Sequence, residues 1–340
     1  MGVTRDTIVN ILRQVQDPKL GRDIVSSGMV KEIRVEGGSV YVRLEIAFPE
    51  NDLREKVRAE ANERLASCGG VREVRIDVTV PQRYGVTLSK VLPIAGVDHI
   101  LAVASGKGGV GKTTVAVNLA CALQGLGYRV GLMDGDIYGP NVPLMMGLDS
   151  DTQPGVTPDK KMIPVERFGV KIISMGLLAS PDQAIVWRGP MLHKAVTQFL
   201  QQVKWGSLDY LFVDLPPGTG DVQISLVQTV PVSSALIVRL PQEVSLLDAR
   251  KAAAMFRTTG VSILGIVENM TGEIFGWGGG RKTAAELGVP YLGQIPLQTS
   301  VRECGDLGNP IVVAMPDHPA ARGFVQTAKS LTEILSRVRT

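Results

Sequence analysis

The sequence is poor in cysteine and has no long apolar run. Its 340 residues include three cysteines, Cys68, Cys121 and Cys304, and no Cys-x-x-Cys, which excludes a disulfide framework and the usual thiol pair of a metal site. No apolar stretch reaches the roughly 18 residues that a membrane-spanning helix requires. The segment before Gly21 mixes acidic and basic side chains and lacks the apolar block of a secretory signal. We therefore expect a cytoplasmic protein that has no membrane partner.

The chain also has little net charge. Lys and Arg number 36 against 33 Asp and Glu, which is a formal charge of +3 over the whole length. This balance gives no electrostatic argument for nucleic acid as a partner. With 44% hydrophobic and 20% charged residues, the composition is that of a folded globular protein. At about 150 residues per domain, the length predicts two domains.

Residues 1–80 have the pattern of a small α/β domain. Glu36-Gly37-Gly38 is a hairpin signal between two segments rich in Val and Ile. The predicted elements are a helix at 4–16, strands at 29–35 and 40–47, a helix at 52–66 and a last strand at 71–80. After them the periodicity fades while Pro and Gly recur, so we place a linker at 81–96.

From residue 97 to residue 340, short apolar runs alternate with helical patterns. The runs include HILAVAS, RVGLMD, DYLFVDL, ALIVRL and SILGIVEN. Strands that are hydrophobic throughout are buried on both faces, as in a parallel sheet covered by helices. The second domain is therefore predicted to be a doubly wound, mostly parallel α/β sheet. Its ligands should gather at the carboxyl ends of the strands.

The segment SGKGGVGKTT, from Ser105 to Thr114, has the spacing of a phosphate-binding loop between a strand and a helix. Its glycines let successive amide groups face one point, and the helix amino end adds partial positive charge. Lys112 can reach phosphate oxygens, and the Thr113 hydroxyl can bind Mg²⁺. A glycine-rich turn that happens to hold lysines is the alternative. The predicted nucleotide ligands of this loop are Gly106, Lys107, Gly108, Gly109, Val110, Gly111, Lys112, Thr113 and Thr114.

Two further strand ends supply carboxylates. Asp134 and Asp136 follow the second strand of the domain, and Asp214 ends the strand DYLFV. A carboxylate in such a position can orient an attacking water or hold a metal through its water shell. We assign Asp214 to Mg²⁺, while helix capping remains the alternative for Asp134 and Asp136. The glycines of the following PPGTGD string predict a switch segment.

Asn269 is the candidate for base recognition. It follows a strand predicted at 262–267, and its amide offers both a donor and an acceptor, which suits the edge of adenine. Capping of the next turn is the alternative. The segment 294–298, which includes Pro296, follows a later strand and reaches the same rim of the sheet. Together these positions favour ATP over a ligand that offers only phosphate.

The remaining candidates lack a supporting pattern. Cys121 lies among apolar residues of the helix after the loop and is predicted to be a core residue, whereas Cys68 and Cys304 are predicted to be isolated surface or half-buried thiols. A helix predicted at 320–338 has one apolar face; covering the sheet is favoured for it over a membrane-targeting tail. The histidines have no metal-ligand spacing; they are His99, His193 and His318.

The loop string SGKGGVGKTT resembles the deviant phosphate loop of the class that contains MinD, ParA, ArsA and the nitrogenase iron protein. In that class the early lysine crosses a dimer interface to the partner's nucleotide, so the resemblance implies an ATP-bound homodimer with Lys107 acting in trans. It also implies that Asp136 positions the attacking water, that Asp134 is structural or supports a residue that contacts the ligand, and that the backbone around Pro296 packs against the base.

Taken whole, the chain resembles the Mrp/ApbC family of iron–sulfur cluster carrier ATPases, which includes Nbp-type relatives. The matching strings are DGDIYGPN, WRGP, DYLFVDLPPGTGD, LPQEVSLLDARKA, GIVENM, IFGWGGG and LGVPYLGQIPLQTSVRECGDLGNPIV. The string DPKLGRDIV, from Asp17 to Val25, resembles the small SufT/PaaD-like module that often precedes these ATPases. The resemblance implies a P-loop NTPase that acts in iron–sulfur cluster assembly or transfer, with cluster donor or recipient proteins as partners.

The chain departs from this family where a cluster would be held. Members usually insert a loop with Cys-x-x-Cys between the ENM and FG strings, but here Met270 runs through Thr271-Gly272-Glu273 directly into Ile274. The small module often bears a cysteine after its second strand, and this chain has Phe48-Pro49-Glu50 there. The resemblance therefore implies a cluster that the cysteine positions do not support, and no iron–sulfur ligands are predicted.

The loop motif predicts an ATP hydrolase, and the resemblance implies that it is dimeric and slow. Lys112 is a predicted catalytic residue from the motif, and the resemblance adds Lys107 and Asp136. The predicted Mg²⁺ site consists of Thr113, Asp136 and Asp214. Two alternatives remain: a positioning or partitioning switch of the MinD or ParA type that carries no cluster, and a scaffold that binds nucleotide without hydrolysing it.

Overall fold

The structure is a computed structural model of one chain. Several sequence features lie outside the residues that it describes: the stretches 17–22 and 47–50, most of the predicted linker, WRGP and Asp221. The described residues are 3–16, 23–46, 51–79, 93–136, 139–149, 151–177, 202–220, 223–224, 226–227 and 230–338.

The chain divides into two compact units, Met1–Ser89 and Lys90–Thr340. The elements of the smaller unit are α1 (Arg5–Leu12), β1 (Val30–Glu36), β2 (Ser39–Glu45), α2 (Asn51–Ala66) and β3 (Glu73–Thr79). β1 pairs with β2 antiparallel, as the hairpin signal predicts, and β2 pairs with β3 in parallel. The two helices and the sheet enclose a core that includes Ile8, Leu12, Val42, Leu44 and Leu65.

The larger unit contains a mixed sheet of eight strands. Its elements are β4 (Val97–Ala104), α3 (Lys112–Gly125), β5 (Val130–Asp134), α4 (Val142–Met145), β6 (Gly155–Val156), β7 (Met162–Ile163), β8 (Val165–Arg167), β9 (Val170–Ser174), a 3-10 turn (Met175–Leu177), β10 (Leu208–Asp214), β11 (Ser234–Arg239), α5 (Val244–Thr259), β12 (Ser262–Thr271), α6 (Gly279–Leu287), β13 (Tyr291–Pro296), α7 (Thr299–Asp306), α8 (Ile311–Ala314) and α9 (Pro319–Val338). The strand order is β13-β12-β11-β4-β10-β5-β9-β8.

All neighbouring strands of this sheet run parallel except β8, which pairs with β9 antiparallel. Strands β10 and β11 are buried along almost their whole length, and β4 is buried from Ile100 onward, because helices cover both faces of the sheet. One face packs against α3 and α9, and the other packs against α5 and α6. The doubly wound fold predicted from the alternation of apolar runs is confirmed.

The C-terminal helix α9 lies on the sheet. Phe324, Ala328, Leu331 and Leu335 are buried, and the helix packs against β13 and α3. The apolar face seen in the sequence is therefore part of the core, as the favoured interpretation predicts. Among the described residues, no helix is both long enough and apolar enough to cross a membrane.

The parallel strands bring their carboxyl ends to one edge of the sheet. β4 leads into the glycine-rich loop, β10 ends at Asp214, and β5 ends at Asp134. β12 corrects one sequence prediction, because it continues to Thr271 instead of ending at Val267. Asn269 consequently lies within the strand and not after it, since pairing with β13 extends the strand beyond its purely apolar part.

Candidate functional site

The centre of the site is a contact between the glycine-rich loop and the end of β10. The Lys112 Nζ lies 2.6 Å from Asp214 Oδ1, and the Thr113 hydroxyl donates a hydrogen bond of 2.7 Å to Asp214 Oδ2. Lys112 Nζ also donates to the Thr113 hydroxyl oxygen at 3.3 Å. The side chains of Lys112 and Asp214 are 6% and 0% exposed. Three residues predicted for nucleotide and Mg²⁺ are thus brought together at one point.

Two glycines of the loop are fixed by close approaches. A Cβ on Gly106 would lie 2.1 Å from the Asp248 carbonyl oxygen of α5, so the loop can pass this helix only without a side chain. Gly111 precedes α3 with a φ of +76°, a left-handed backbone that favours glycine. A Cβ there would lie 2.3 Å from Asn269 Nδ2. These contacts explain two of the glycines that the motif requires.

The other loop residues surround a cleft. Lys107, Gly108, Gly109, Val110 and Thr114 all line it. Gly108 and Gly109 are exposed, whereas Lys107 and Thr114 are partly buried. The Ser105 hydroxyl donates to the Lys107 carbonyl at 2.8 Å and thereby closes the first turn of the loop. Backbone amides at an open helix amino end form a site that suits phosphate.

Asp134 is a buried anchor for the segment that follows β5. Its carboxylate accepts hydrogen bonds from the Ser174 hydroxyl at 2.9 Å, from the Asp136 N–H at 3.1 Å and from the Val142 N–H at 3.3 Å. Burial raises the pKa of Asp134 to about 7, and the neighbouring Asp214 carboxylate adds to the increase. This carboxylate ties β9, α4 and Asp136 together.

Asp136 and Asp214 occupy different environments. Asp136 is partly buried, lines the cleft and accepts a hydrogen bond of 3.3 Å from the Gly139 N–H. Asp214 is fully buried, which raises its pKa, while the Lys112 ammonium acts in the opposite direction. Asp136 is therefore open to a reactant in the cleft, and Asp214 lies beneath the loop.

Asn269 reaches the loop from β12. Its side-chain Nδ2 donates a hydrogen bond of 2.8 Å to the Val110 carbonyl, and the residue is 4% exposed. Pro296, at the end of β13, lines the same cleft. Because an amide nitrogen carries two hydrogens, the bond to Val110 leaves one N–H and the carbonyl oxygen of Asn269 for another partner.

The cleft extends beyond the site residues that were predicted from the sequence. It has a volume of about 470 Å³ and extends from the loop to α4 and α7, with Met145, Met270, Val301 and Arg302 among its lining residues. Gly147 and Gly308, which follow α4 and α7, touch: a Cβ on Gly308 would lie 2.3 Å from the Gly147 Cα. Sequence reasoning missed this wall because its residues are distant in the chain. The only signal was the amphipathic pattern after QIPLQ.

The oxygen donors at the loop suit a hard divalent cation. The Thr113 hydroxyl and the Asp214 carboxylate lie in contact, with the partly buried Asp136 on the same cleft, and Mg²⁺ prefers oxygen ligands of this kind together with water and phosphate. Thr113 and Asp214 therefore fit the predicted Mg²⁺ chemistry. Within the part of the chain that the structure describes, no group of three or more His, Cys, Asp or Glu residues is arranged to hold a metal ion.

The thiols lie apart from the cleft lining. Cys121 is buried on α3 with its Sγ 3.9 Å from the Met146 Sδ, as the sequence predicts, and burial raises the pKa of its thiol to about 12. Cys68 is partly exposed. Cys304 corrects the prediction of a surface or half-buried thiol, because α7 turns it into the core, where it is 9% exposed.

Comparison with known proteins identifies both units. Residues 96–332 match the family described as NUBPL iron-transfer P-loop NTPase, and residues 5–78 match that of an iron–sulfur cluster assembly protein. An iron–sulfur cluster carrier protein from Synechocystis is 44% identical and covers 97% of each chain. One from Deinococcus radiodurans is 45% identical over 98% of this chain and 96% of its own. Mouse NUBPL, an iron–sulfur cluster transfer protein, is 44% identical over 74% of this chain and 81% of its own.

Solved structures resemble the larger unit. A nucleotide-binding protein from Archaeoglobus fulgidus in complex with ADP has a TM-score of 0.58 and 32% identity, over 67% of this chain and 93% of its own. The MinD cell division ATPase from Pyrococcus furiosus has a TM-score of 0.56 and 25% identity, over 69% of this chain and 99% of its own. With a matching loop, sheet and sequence across both units, the chain belongs to the family of iron-transfer P-loop NTPases related to ParA and MinD.

Proposed function

We propose that this chain is an Mg²⁺-dependent ATPase that acts, as a homodimer, in the assembly or transfer of iron–sulfur clusters. The observation that carries the proposal is the contact among Lys112, Thr113 and Asp214 beneath an open phosphate loop, in a chain whose two units both match iron–sulfur families. The relatives named as cluster carriers match almost the full length of the chain. That breadth favours this function over a MinD-type positioning switch.

Binding of the triphosphate involves an exchange of partners at Lys112. The ammonium group that contacts Asp214 turns toward the β- and γ-phosphate oxygens, where the amides of the loop also converge. Preformed donors of this kind stabilise the negative charge that develops during phosphoryl transfer. Asp136, on the wall of the cleft, orients the water that attacks the γ-phosphate.

Thr113, Asp214 and Asp136 would hold Mg²⁺ with their oxygen atoms. The ion would supply charge neutralisation on the phosphate oxygens. Asn269 and Pro296 receive the base. The N–H and carbonyl oxygen of Asn269 that remain beside its bond to Val110 complement the N7 and the amino group of adenine.

Lys107 supports the proposal of a homodimer. It lies at the start of the loop, lines the cleft and is partly exposed, so its long side chain can reach a nucleotide that faces it from a second copy. Because the Lys107 ammonium of a second copy would contact the γ-phosphate, the two copies would close on each other only when the triphosphate is bound. Hydrolysis then removes the γ-phosphate that joins the two copies, and the rate of their separation sets the rate of turnover.

The iron–sulfur cluster is cargo in this function and not a resident cofactor. The three cysteines do not fit a resident cluster, since Cys121 and Cys304 are buried in separate helices and Cys68 lies in the smaller unit, whereas clusters are held mainly by four thiolates. We therefore propose that donor or recipient proteins supply the thiols, and that this chain supplies the ATP-dependent switch.

ATP hydrolysis is tested by phosphate release from the purified chain. Lys112→Ala should abolish hydrolysis, because it removes the cation that contacts the phosphates. Lys329→Ala, which alters an exposed lysine of α9, should hydrolyse at the parental rate. Equal rates for the parent and Lys112→Ala would contradict the assignment of the site.

Cluster transfer is tested under anaerobic conditions with a cluster-loaded scaffold protein and an apo-acceptor whose activity reports cluster receipt. We expect ATP and the parent chain to accelerate activation of the acceptor, and Lys112→Ala to remove the acceleration. If the parent hydrolyses ATP but does not affect the acceptor, the transfer function is wrong. ATP-dependent flotation with lipid vesicles or binding to DNA would then favour the positioning switch.

A further inference from the structure

Strand β12 contains an extra residue where it passes the phosphate loop. Glu268 pairs with Gln294, and the next pair joins Thr271 to Pro296. Between these pairs β12 has two residues, Asn269 and Met270, whereas β13 has one, Ile295. This is a β-bulge, which we call the Asn269–Met270 bulge. Bulges often lie beside functional sites, where they redirect side chains.

The backbone of Met270 is left-handed. Its φ of +59° lies in the region that few residues other than glycine adopt. In a regular strand, consecutive side chains point to opposite faces of the sheet. Here both side chains approach one loop residue: a Cβ on Gly111 would lie 2.3 Å from Asn269 Nδ2 and 3.1 Å from Met270 Cε. The bulge therefore overrides the alternation of the strand.

We infer that Met270 is a positioning residue for nucleotide binding, because its left-handed backbone directs Asn269 onto the phosphate loop. The bond from Asn269 to the Val110 carbonyl and the packing over Gly111 fix the turn that precedes α3, where the loop amides converge. The same bond fixes which N–H of Asn269 faces the cleft. This inference rests on the proposed nucleotide-binding function.

Hydrogen bonds next to Met270 stabilise its left-handed backbone. Immediately after it, the Thr271 carbonyl accepts a hydrogen bond of 2.8 Å from the Leu297 N–H, and its hydroxyl donates to the Ile295 carbonyl at 3.3 Å. Backbone in a sparsely populated region persists where surrounding contacts determine it, and it is concentrated at ligand sites. The pairing with β13 on both sides of the bulge provides those contacts.

The experiment compares Met270→Val with Met270→Gly in the full chain. Valine is β-branched and resists a left-handed backbone, whereas glycine adopts it freely. Affinity is measured by titration with a fluorescent ribose-labelled ATP in the presence of Mg²⁺, and kcat by phosphate release at saturation. We expect Met270→Val to raise Kd about tenfold and to change kcat at saturation by a smaller factor, whereas Met270→Gly should have a Kd within about threefold of that of the parent.

Lys160→Val is the matched control. Lys160 also has a left-handed backbone, with a φ of +61°, but it lies in the exposed turn between β6 and β7. Lys160→Val should leave the Kd for the labelled ATP unchanged, which separates the effect of backbone strain in general from that of strain beside the phosphate loop.

If Met270→Val does not fold, Met270→Ala replaces it. Alanine and glycine both lack the methionine side chain, but they differ in their tolerance of the left-handed region. The Kd of Met270→Ala is then expected to be at least threefold above that of Met270→Gly.

A Kd for Met270→Val close to that of the parent would overturn the inference. So would an equal loss of affinity in Met270→Val and Met270→Gly, because the side chain and not the backbone would then be responsible. A fall in kcat at saturation with an unchanged Kd would also overturn it. If the parent chain itself does not bind the labelled ATP, the proposed function fails, and that result is distinct from the other three.

Discussion

At the scale of single residues, the side chains predicted for phosphate and metal share one buried carboxylate. Asp214 contacts both Lys112 and Thr113, and removing one partner of such a buried pair leaves the other charge uncompensated. The strand–loop–helix context and the Gly-Lys-Thr spacing predict the loop. The contact with Asp214 follows from the neighbouring positions of β4 and β10 in the sheet, which the sequence alone does not state.

Thiol reactivity tests the description of the cysteines. The thiolate is the reactive species, and burial raises the pKa of Cys121 to about 12, so its thiol stays protonated at pH 8. Burial, with the neighbouring Glu303, also raises the pKa of Cys304. We expect a chromogenic disulfide reagent at pH 8 to modify Cys68 rapidly. Cys121 and Cys304 should react at least about a hundredfold more slowly than Cys68.

Two controls define that measurement. Cys68→Ser should remove the rapid phase, and unfolding in urea should expose all three thiols to the reagent. A rapid phase that persists in Cys68→Ser would show that a second thiol is accessible, and it would reopen the case for cluster ligands on this chain.

At the scale of helices and strands, the agreement between sequence and structure depends on whether a signal is local. The hairpin at Glu36-Gly37-Gly38 and the apolar parallel strands carry their own signals, and both form as predicted. The Asn269–Met270 bulge has no such signal, because neither position is glycine and the extra residue is defined only by pairing with β13. The same reason explains why β12 continues beyond its apolar segment.

Helix α9 should be essential to the larger unit. Leu331 is fully buried in the core between α9 and the sheet, and replacing a buried leucine by alanine costs about 2–5 kcal/mol. Leu331→Ala should lower the free energy of unfolding by this amount. Urea unfolding monitored by tryptophan fluorescence reports on this unit, since all three tryptophans lie in it: Trp187, Trp205 and Trp277.

Leu307→Ala is the matched control for this substitution. Leu307 is 81% exposed at the end of α7, so its truncation should change the free energy of unfolding by less than about 0.5 kcal/mol. Similar losses in the two variants would mean that α9 does not cover the core as described.

At the scale of the whole molecule, each unit has its own hydrophobic core, and the cleft with its loop lies within the larger unit. Composition and length predict two domains and a globular chain. The sequence also predicts which unit carries the nucleotide, because the loop motif lies in only one of them. The shape of the cleft depends on contacts between distant segments such as α4 and α7, and no local pattern encodes these.

Nucleotide should stabilise the larger unit by mass action. ADP at a hundred times its Kd adds about 2.7 kcal/mol to a fold that binds it only when native. Amide hydrogen exchange in the central strands β4 and β10, where it requires unfolding of the unit, should then slow about a hundredfold. The same ADP concentration should not slow exchange in Lys112→Ala; equal slowing in both proteins would contradict the assigned site.

The contact between Gly147 and Gly308 has a consequence for ligand choice. Because backbone meets backbone there, the separation of α4 from α7 is set by atoms that have no alternative rotamers. Both glycines lie just beyond the cleft lining, which reaches Met145 on α4 and Asp306 on α7. A ligand too large for the space between these two helices would have to break the glycine contact in order to bind.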